Sequence, residues 1–293
     1  MPVLNLTVTE TVTGLAGGET GFDRRLGRAA AAGGPTDPIV LLIHGFRYSP
    51  LRGPTNPHDS LYATAPGGRK RPRRQLSWPA ALGFRDDPDD PGLCLPIGWD
   101  ARGTFAEAFA QAEAVGMHLA QLIARLHARY PARPIKLMGH SLGGRVALAA
   151  LGALPAPMVR QVILLAPADF DTHARAVLTR PGAQGAEILQ ISPPENWLFD
   201  RLLEQALRRD AGAGTALGRR PPRAENWIAL SLADEAELAN LAALGHAIGP
   251  RCAPVCHWGA YLRAGVMDLY SALLTDRGPR ALRDLAPPPR SLP

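Results

Sequence analysis

Short apolar runs separated by helical stretches or loops recur along the chain and constrain its fold. These runs lie at residues 39–43, 135–138, 162–165 and 187–191. Apolar runs of this length are typical of strands that are buried on both faces of a sheet. Their alternation with helices predicts an α/β fold, with a mostly parallel central sheet covered by helices on both faces.

Other periodicities predict the remaining elements. Apolar residues at three- and four-residue steps predict a long helix over residues 103–130, a shorter one over 142–154 and a last one over 259–274. Alternation with period two at residues 2–9 predicts an edge strand, and residues 226–232 are the expected last strand.

The length of 293 residues allows one large core, in which roughly 75% of the surface of the unfolded chain is buried. We expect a single domain over residues 1–280 and a flexible, Pro-rich tail at 281–293. Within the domain, residues 48–104 are dense in Pro, Gly and Arg, and only residues 74–78 are strand-like. We expect this stretch to be a long loop excursion over one end of the sheet.

The charge balance does not identify a binding partner. The formal charge is +6, but lysine occurs only at Lys70 and Lys136, so all other basic residues among the 32 are arginine. This preference for arginine over lysine is typical of a bias in the composition of the coding sequence. The one dense basic run, residues 69–74, is expected to be a solvated loop. No nucleic-acid partner is expected.

The chain shows no secretory signal and no apolar stretch near 18 residues, so we expect a cytoplasmic protein without a membrane span. Three cysteines, Cys94, Cys252 and Cys256, cannot all pair, which favours reduced thiols. No cofactor motif is present, and metal binding at the late cysteines would need further ligands at sensible spacing. We therefore expect no cofactor and no metal; the sequence leaves the oligomeric state open.

Gly139-His140-Ser141-Leu142-Gly143 matches the pattern G-x-S-x-G between a buried strand and a helix. In this context the turn is sharp, and the glycines provide room around a strained serine. A serine at a helix N-terminus also lies where backbone N–H groups favour developing negative charge. The pattern predicts Ser141 as a nucleophile.

A serine nucleophile needs an adjacent base, and the chain has eight histidines. After this motif the partners follow in the order Ser, acid, His, with the base between the last strand and the closing helix. His257 fits that position, and His246 is a weaker alternative. His140 is expected to pack beneath the turn rather than to act as the base.

These features together resemble the α/β-hydrolase superfamily: the early His44-Gly45-Phe46, the serine motif and the late His257. The resemblance implies an oxyanion hole formed by the backbone N–H groups of Phe46 and Leu142. It also places an acid after the strand that ends near residue 191, which is Glu195.

The acid has several candidates under this resemblance. Asp169 or Asp171, after residues 162–165, is the alternative to Glu195, and Asp200 or no acid completes the set. Glu195 is followed by Asn196, where a second acid is expected, and this departure leaves the choice open.

The sequence predicts a serine hydrolase of the carboxylesterase or lipase-like kind, acting on a small-molecule ester through an acyl-enzyme on Ser141 with His257 as base. Two alternatives stay open. An acyltransferase would use the same residues, and a non-catalytic binding module would keep only the fold.

Overall fold

A computed structural model describes residues 3–8, 13–15, 21–51, 53–64, 76–85, 90, 92–207, 214–275 and 285. Its strands are β1 (Leu6–Val8), β2 (Thr13–Leu15), β3 (Ile39–Ile43), β4 (Leu93–Gly98), β5 (Ile135–His140), β6 (Gln161–Leu165), β7 (Glu187–Ile191) and β8 (Trp227–Leu230). They form one sheet in the order β2-β1-β4-β3-β5-β6-β7-β8. Every neighbouring pair is parallel except β1 and β2.

The two faces of the sheet carry separate apolar cores, as strand geometry requires. The helices are α1 (Phe22–Ala31), α2 (Trp78–Ala81), α3 (Phe105–Arg129), α4 (Leu142–Ala153), α5 (Asp171–Leu178), α6 (Trp197–Ala206), α7 (Glu235–Ala243), α8 (Gly259–Leu262) and α9 (Val266–Leu274). Leu41 of β3 points into one core with residues of α3 and α4. Leu42 points into the other core with residues of α2, α8 and α9. The predicted α/β fold class is confirmed.

The long helix α3 has clear sequence signals at both ends. Thr104 and Glu107 form a reciprocal capping box, in which the Glu107 carboxylate accepts the Thr104 N–H at 2.8 Å. The helix ends at Arg129, just before Pro131. Its predicted extent over 103–130 is therefore confirmed to within two residues at each end.

The expectation of an excursion over residues 48–104 is wrong in part. Residues 93–98 form β4, which lies inside the sheet between β1 and β3. The strand contains Pro96, which pairs in register with Leu42. A proline has no N–H to donate to a neighbouring strand and is unfavourable in a central strand. The sequence pattern therefore did not predict β4. The prediction of a strand-like segment at 74–78 is also wrong at the end that the structure describes, because Trp78 begins α2.

Two further boundaries differ from expectation. The early strand β1 is not an edge, because β2 pairs antiparallel along its outer side. The last predicted helix is divided into α8 and α9 at Gly265, whose φ of 83° lies in the left-handed region. The basic run 69–74 and all of the predicted tail except Leu285 lie outside the described residues.

Candidate active site

Ser141 occupies a strained turn between β5 and α4. It follows His140, the last residue of β5, and has φ 55° and ψ −123°, a combination that a residue with a side chain rarely adopts. Its N–H donates to the Leu165 carbonyl of β6 at 2.9 Å, which fixes the turn against the neighbouring strand. The strain is thus held by the sheet itself.

The glycines around Ser141 are required by close backbone contacts. A Cβ at Gly139 would lie 2.4 Å from the Gly143 carbonyl oxygen, and one at Gly143 would lie 2.2 Å from the Ile43 carbonyl oxygen. A Cβ at Gly45 would lie 2.8 Å from the Ser141 Cβ. Each distance is shorter than any carbon contact allows, so the motif has a steric basis and the turn after β3 lies directly against Ser141.

Ser141 and His257 both line a cavity of about 500 Å³ at the carboxyl ends of the strands. Its walls are mostly apolar and come from the turn after β3, the loop after β6, α6 and the loop before α8. The apolar lining includes Phe46, Phe105, Phe199, Leu202, Leu203 and Trp258. The two predicted residues therefore line the same cavity.

Asn196 is the hydrogen-bond partner of His257. The Asn196 Oδ1 lies 2.7 Å from His257 Nδ1, and Asn196 Nδ2 donates to Asp200 Oδ1 at 3.1 Å. A carboxylate only accepts hydrogen bonds, so the amide nitrogen faces Asp200 and the amide oxygen faces His257. His257 must then carry its proton on Nδ1, which leaves Nε2 with the lone pair that a base needs.

His140 and Phe199 hold His257 from two other sides. The Phe199 ring stacks on the imidazole with centroids 4.5 Å apart, and His140 Nε2 lies 3.0 Å from the His257 carbonyl oxygen. Burial lowers the pKa of His140 to about 4, so His140 is neutral and donates this bond. Burial and the neighbouring His140 also lower the pKa of His257 well below its usual range.

Glu195, the first candidate for the acid, lies beside Asn196, but no hydrogen bond joins it to the imidazole among the described residues. Its carboxylate is fully buried, and neither oxygen has a hydrogen-bond partner among the described residues. It packs instead against Gly259 at the start of α8, where a Cβ would lie 2.4 Å from Oε1. The assignment of Glu195 as the acid stays a prediction that no hydrogen bond in the structure supports.

Asp169 and Asp171, the alternative acids, are engaged elsewhere. Asp169 is fully buried and accepts hydrogen bonds from Arg145 at 2.7 Å and from His173 Nδ1 at 2.6 Å. Arg145 also pairs with Glu113 of α3 at 2.7 Å. Asp171 pairs with Arg175. This cluster joins α3, α4 and α5 and does not reach His257.

The sequence reasoning missed Asn196 because an amide does not match the acid expected in this motif. One signal was available, since Asn196 and Asp200 are four residues apart and four-residue neighbours lie on one face of a helix. Asp200, a minor candidate, reaches His257 only through Asn196.

The two expected oxyanion donors belong to segments that adjoin Ser141, one next to it in sequence and one next to Gly45, which packs against it. Leu142 is the first residue of α4, so its N–H has no acceptor within the helix. Phe46 follows Gly45 and lines the cavity. Its turn is held by buried His44, which receives the Trp99 N–H on Nε2 at 3.1 Å and contacts the Gly45 carbonyl through Nδ1 at 2.9 Å. Burial lowers the pKa of His44 to about 3, so the imidazole is neutral and can accept at Nε2 while it donates at Nδ1.

Neither a membrane helix nor a metal cluster is found in the part of the chain that the structure describes. No described helix is both long enough and apolar enough to cross a bilayer. No three His, Cys, Asp or Glu side chains among the described residues come together in a way that could hold a metal ion.

A comparison with protein-family models supports this fold. Residues 103–218 match a family model described as serine aminopeptidase, S33, which supports a hydrolase. This segment contains α3, the serine turn and Asn196, but not His257. A comparison with curated proteins found no match.

Solved structures show only a distant likeness. TT1662 from Thermus thermophilus is 14% identical with a TM-score of 0.38, over 67% of this chain and 79% of that one. An acetylxylan esterase is 15% identical with a TM-score of 0.31, over 54% and 84%. A poly(3-hydroxybutyrate) depolymerase from Bordetella parapertussis is 13% identical with a TM-score of 0.38, over 86% and 85%.

Likeness at this level carries no inference about chemistry. Stronger support for the fold comes from three findings that agree with one another: the parallel sheet, the strained serine turn and the family match. The chain has the α/β-hydrolase fold, and its residues 103–218 are similar to the serine aminopeptidase S33 family.

Proposed function

We propose that the protein is a serine hydrolase that cleaves carboxylic esters through an acyl-enzyme on Ser141. The observation that carries this proposal is the hydrogen bond from His257 Nδ1 to Asn196, because it leaves Nε2 free to accept a proton in the cavity that Ser141 lines. An imidazole held in the other tautomer could not act as a base toward Ser141.

The reaction then proceeds by two acyl transfers. His257 Nε2 takes the proton from Ser141 Oγ as that oxygen attacks the ester carbonyl carbon. The tetrahedral intermediate collapses, the alcohol leaves with the proton from Nε2, and the acyl group stays on Ser141. A water molecule, deprotonated by the same Nε2, attacks the acyl carbon; the bond to Ser141 Oγ then breaks, Nε2 returns its proton to Oγ, and the carboxylic acid leaves.

The backbone N–H groups of Phe46 and Leu142 are the proposed donors to the carbonyl oxygen as it becomes negative. Each donor fixed in this position stabilises the transition state by about 3 to 4 kcal/mol in comparable acyl transfers. The position of Leu142 at the start of α4 adds the favourable end of the helix dipole. Both groups adjoin turns in which glycines make close backbone contacts.

The shape and lining of the cavity favour an apolar acyl group of small or medium length. Phe199 and Leu203 of α6 line one wall, and Leu202 and Trp197 on the same helix are half exposed at 50% and 54%. Exposed apolar side chains beside an apolar cavity are typical of a binding mouth for an apolar ligand.

A panel of p-nitrophenyl esters from acetate to decanoate tests this substrate class, with Ala206→Trp as the informative variant. Ala206 lies at the exposed end of α6 and lines the cavity, so a tryptophan there narrows the mouth with little cost to folding. We expect kcat/KM for the longer esters to fall about tenfold or more, while acetate changes by less than about threefold.

Met117→Phe, at an exposed position of α3 outside the cavity, is the matched control. Equal losses for short and long esters in Ala206→Trp would contradict the assignment of the acyl site. Product analysis with added alcohols in the same assays separates hydrolysis from acyl transfer to an alcohol.

A further inference from the structure

Asp200 is the third member of a buried polar chain that begins at His257. Asn196 and Asp200 are 2% and 6% exposed, and the Asn196 amide nitrogen donates to the Asp200 carboxylate at 3.1 Å. Among the described residues, the hydrogen bonds link the Asp200 carboxylate to the imidazole through the Asn196 amide.

The surroundings of Asp200 restrict where its carboxylate can point. The backbone of Gly218 packs directly on it, and a Cβ at that glycine would lie 2.3 Å from Asp200 Oδ2. The same segment is tied to α6 by Glu204, which accepts the Ala216 N–H at 3.0 Å and pairs with Arg219 at 2.6 Å. The carboxylate is thus held between α6 and this segment.

An amide can turn by half a rotation and keep nearly the same shape, so packing alone cannot choose its orientation. A flipped Asn196 would present its NH₂ group to His257 Nδ1 and draw the imidazole proton to Nε2. That tautomer has no lone pair toward Ser141. Only a neighbour that exclusively accepts, such as a carboxylate, makes the flipped state unfavourable.

We propose that Asp200 is a positioning residue that fixes the orientation of the Asn196 amide and, through it, the catalytic tautomer of His257. The kinetic part of this inference rests on the proposed function, whereas the tautomer itself does not. Asp200 acts through Asn196 and touches no substrate.

The protonation of Asp200 gives the inference a pH signature. The pKa of Asp200 is raised to about 7, chiefly by burial and to a smaller extent by nearby Glu204, against the lowering effects of the Asn196 hydrogen bond and of Arg219. Below this pH the protonated acid can donate to Asn196 Oδ1 and favour the flipped amide; above it the carboxylate only accepts. Activity is therefore expected to rise with pH through about 7. The lowered pKa of His257 keeps that imidazole neutral across this range.

Asp200→Asn is the first test, because it keeps the shape and removes the charge. We expect kcat to fall about 10- to 100-fold with KM unchanged, in line with the loss of other orienting partners. The inflection near pH 7 in the kcat profile should disappear. At a pH well above 7, where wild-type Asp200 is ionised, the ring nitrogen resonances of ¹⁵N-labelled His257 in Asp200→Asn should show a mixture of tautomers in place of the Nδ1-protonated form.

The swapped pair Asn196→Asp with Asp200→Asn is the second test. It places a carboxylate directly on His257 Nδ1 and an amide behind it, so we expect kcat to recover to within about fivefold of the parent. A role limited to packing would not be rescued by this exchange. Asp268→Asn, which removes an exposed acid on α9, is the control for loss of charge alone.

Three results would overturn the inference. One is a wild-type tautomer in Asp200→Asn, and another is a kcat that falls only with the folded fraction. The third is a large loss in Glu195→Gln with Asp200→Asn unaffected, which would move the orienting role to Glu195. The nitrogen resonances do not depend on turnover. A protein that shifts tautomer as expected but cleaves no ester would contradict the proposed function and leave this inference standing.

Discussion

Ser141→Ala is expected to lower kcat for ester hydrolysis by at least about 10⁴-fold, because it removes the atom that forms the acyl-enzyme. Losing the serine or the histidine of such a set costs about as much as losing all its members, since they act as a unit. The remaining rate would come from the oxyanion donors and binding alone. Initial rates on a short p-nitrophenyl ester measure the effect.

The fold should tolerate this change, because the strained φ of 55° at Ser141 is imposed by the surrounding turn and not by the hydroxyl. Circular dichroism and the melting temperature should match those of the parent. Ser231→Ala, a serine outside the cavity after β8, is the matched control and should keep normal activity. A Ser141→Ala protein that hydrolyses esters at the parental rate would remove Ser141 from the mechanism.

Asp169→Ala is expected to destabilise the fold strongly and to leave the chemistry intact. Asp169 is fully buried and binds Arg145, whose side chain is only 9% exposed, at 2.7 Å. Removing Asp169 takes away the buried partner of Arg145 and leaves it the exposed Glu113. Breaking a buried pair in this way costs about 3 to 5 kcal/mol. For a chain of this size that corresponds to a melting temperature lower by about 10 °C.

Thermal unfolding followed by circular dichroism measures this loss, and kcat below the transition measures the chemistry. The double variant Asp169→Ala with Arg145→Met should regain much of the stability, because it removes the orphaned charge as well. An unchanged melting temperature together with a kcat reduced about 10⁴-fold would instead identify Asp169 as the catalytic acid.

Most of the fold could be predicted because its signals are local. The apolar runs of β3, β5, β6 and β7 were each visible in sequence, and the glycines at 139 and 143 revealed the strained turn between β5 and α4. The strand β4 could not be predicted in the same way. Its Pro96 is unfavourable in a central strand, and only the tertiary pairing with β1 and β3 overrides that preference.

Ser141 and His257 could be predicted from the sequence, but the hydrogen-bond partner of the imidazole could not. Chain order and the serine motif indicated Ser141 and His257, and both line one cavity. The partner of the imidazole depends on whether Glu195 or Asn196 faces the loop before α8. Neighbouring residues in a helical turn point about 100° apart, so the residue that faces His257 depends on where the helix starts. Sequence patterns do not locate a helix start to a single residue.

The central claim is that Ser141 is a nucleophile activated by His257. Incubation of the folded protein with a fluorophosphonate, followed by intact mass measurement and peptide mapping, tests it without any assumption about the natural ester. We predict one adduct, on Ser141, that is absent from Ser141→Ala and forms far more slowly on His257→Ala. A folded wild-type protein that stays unlabelled, or that is labelled at another residue, would contradict the claim.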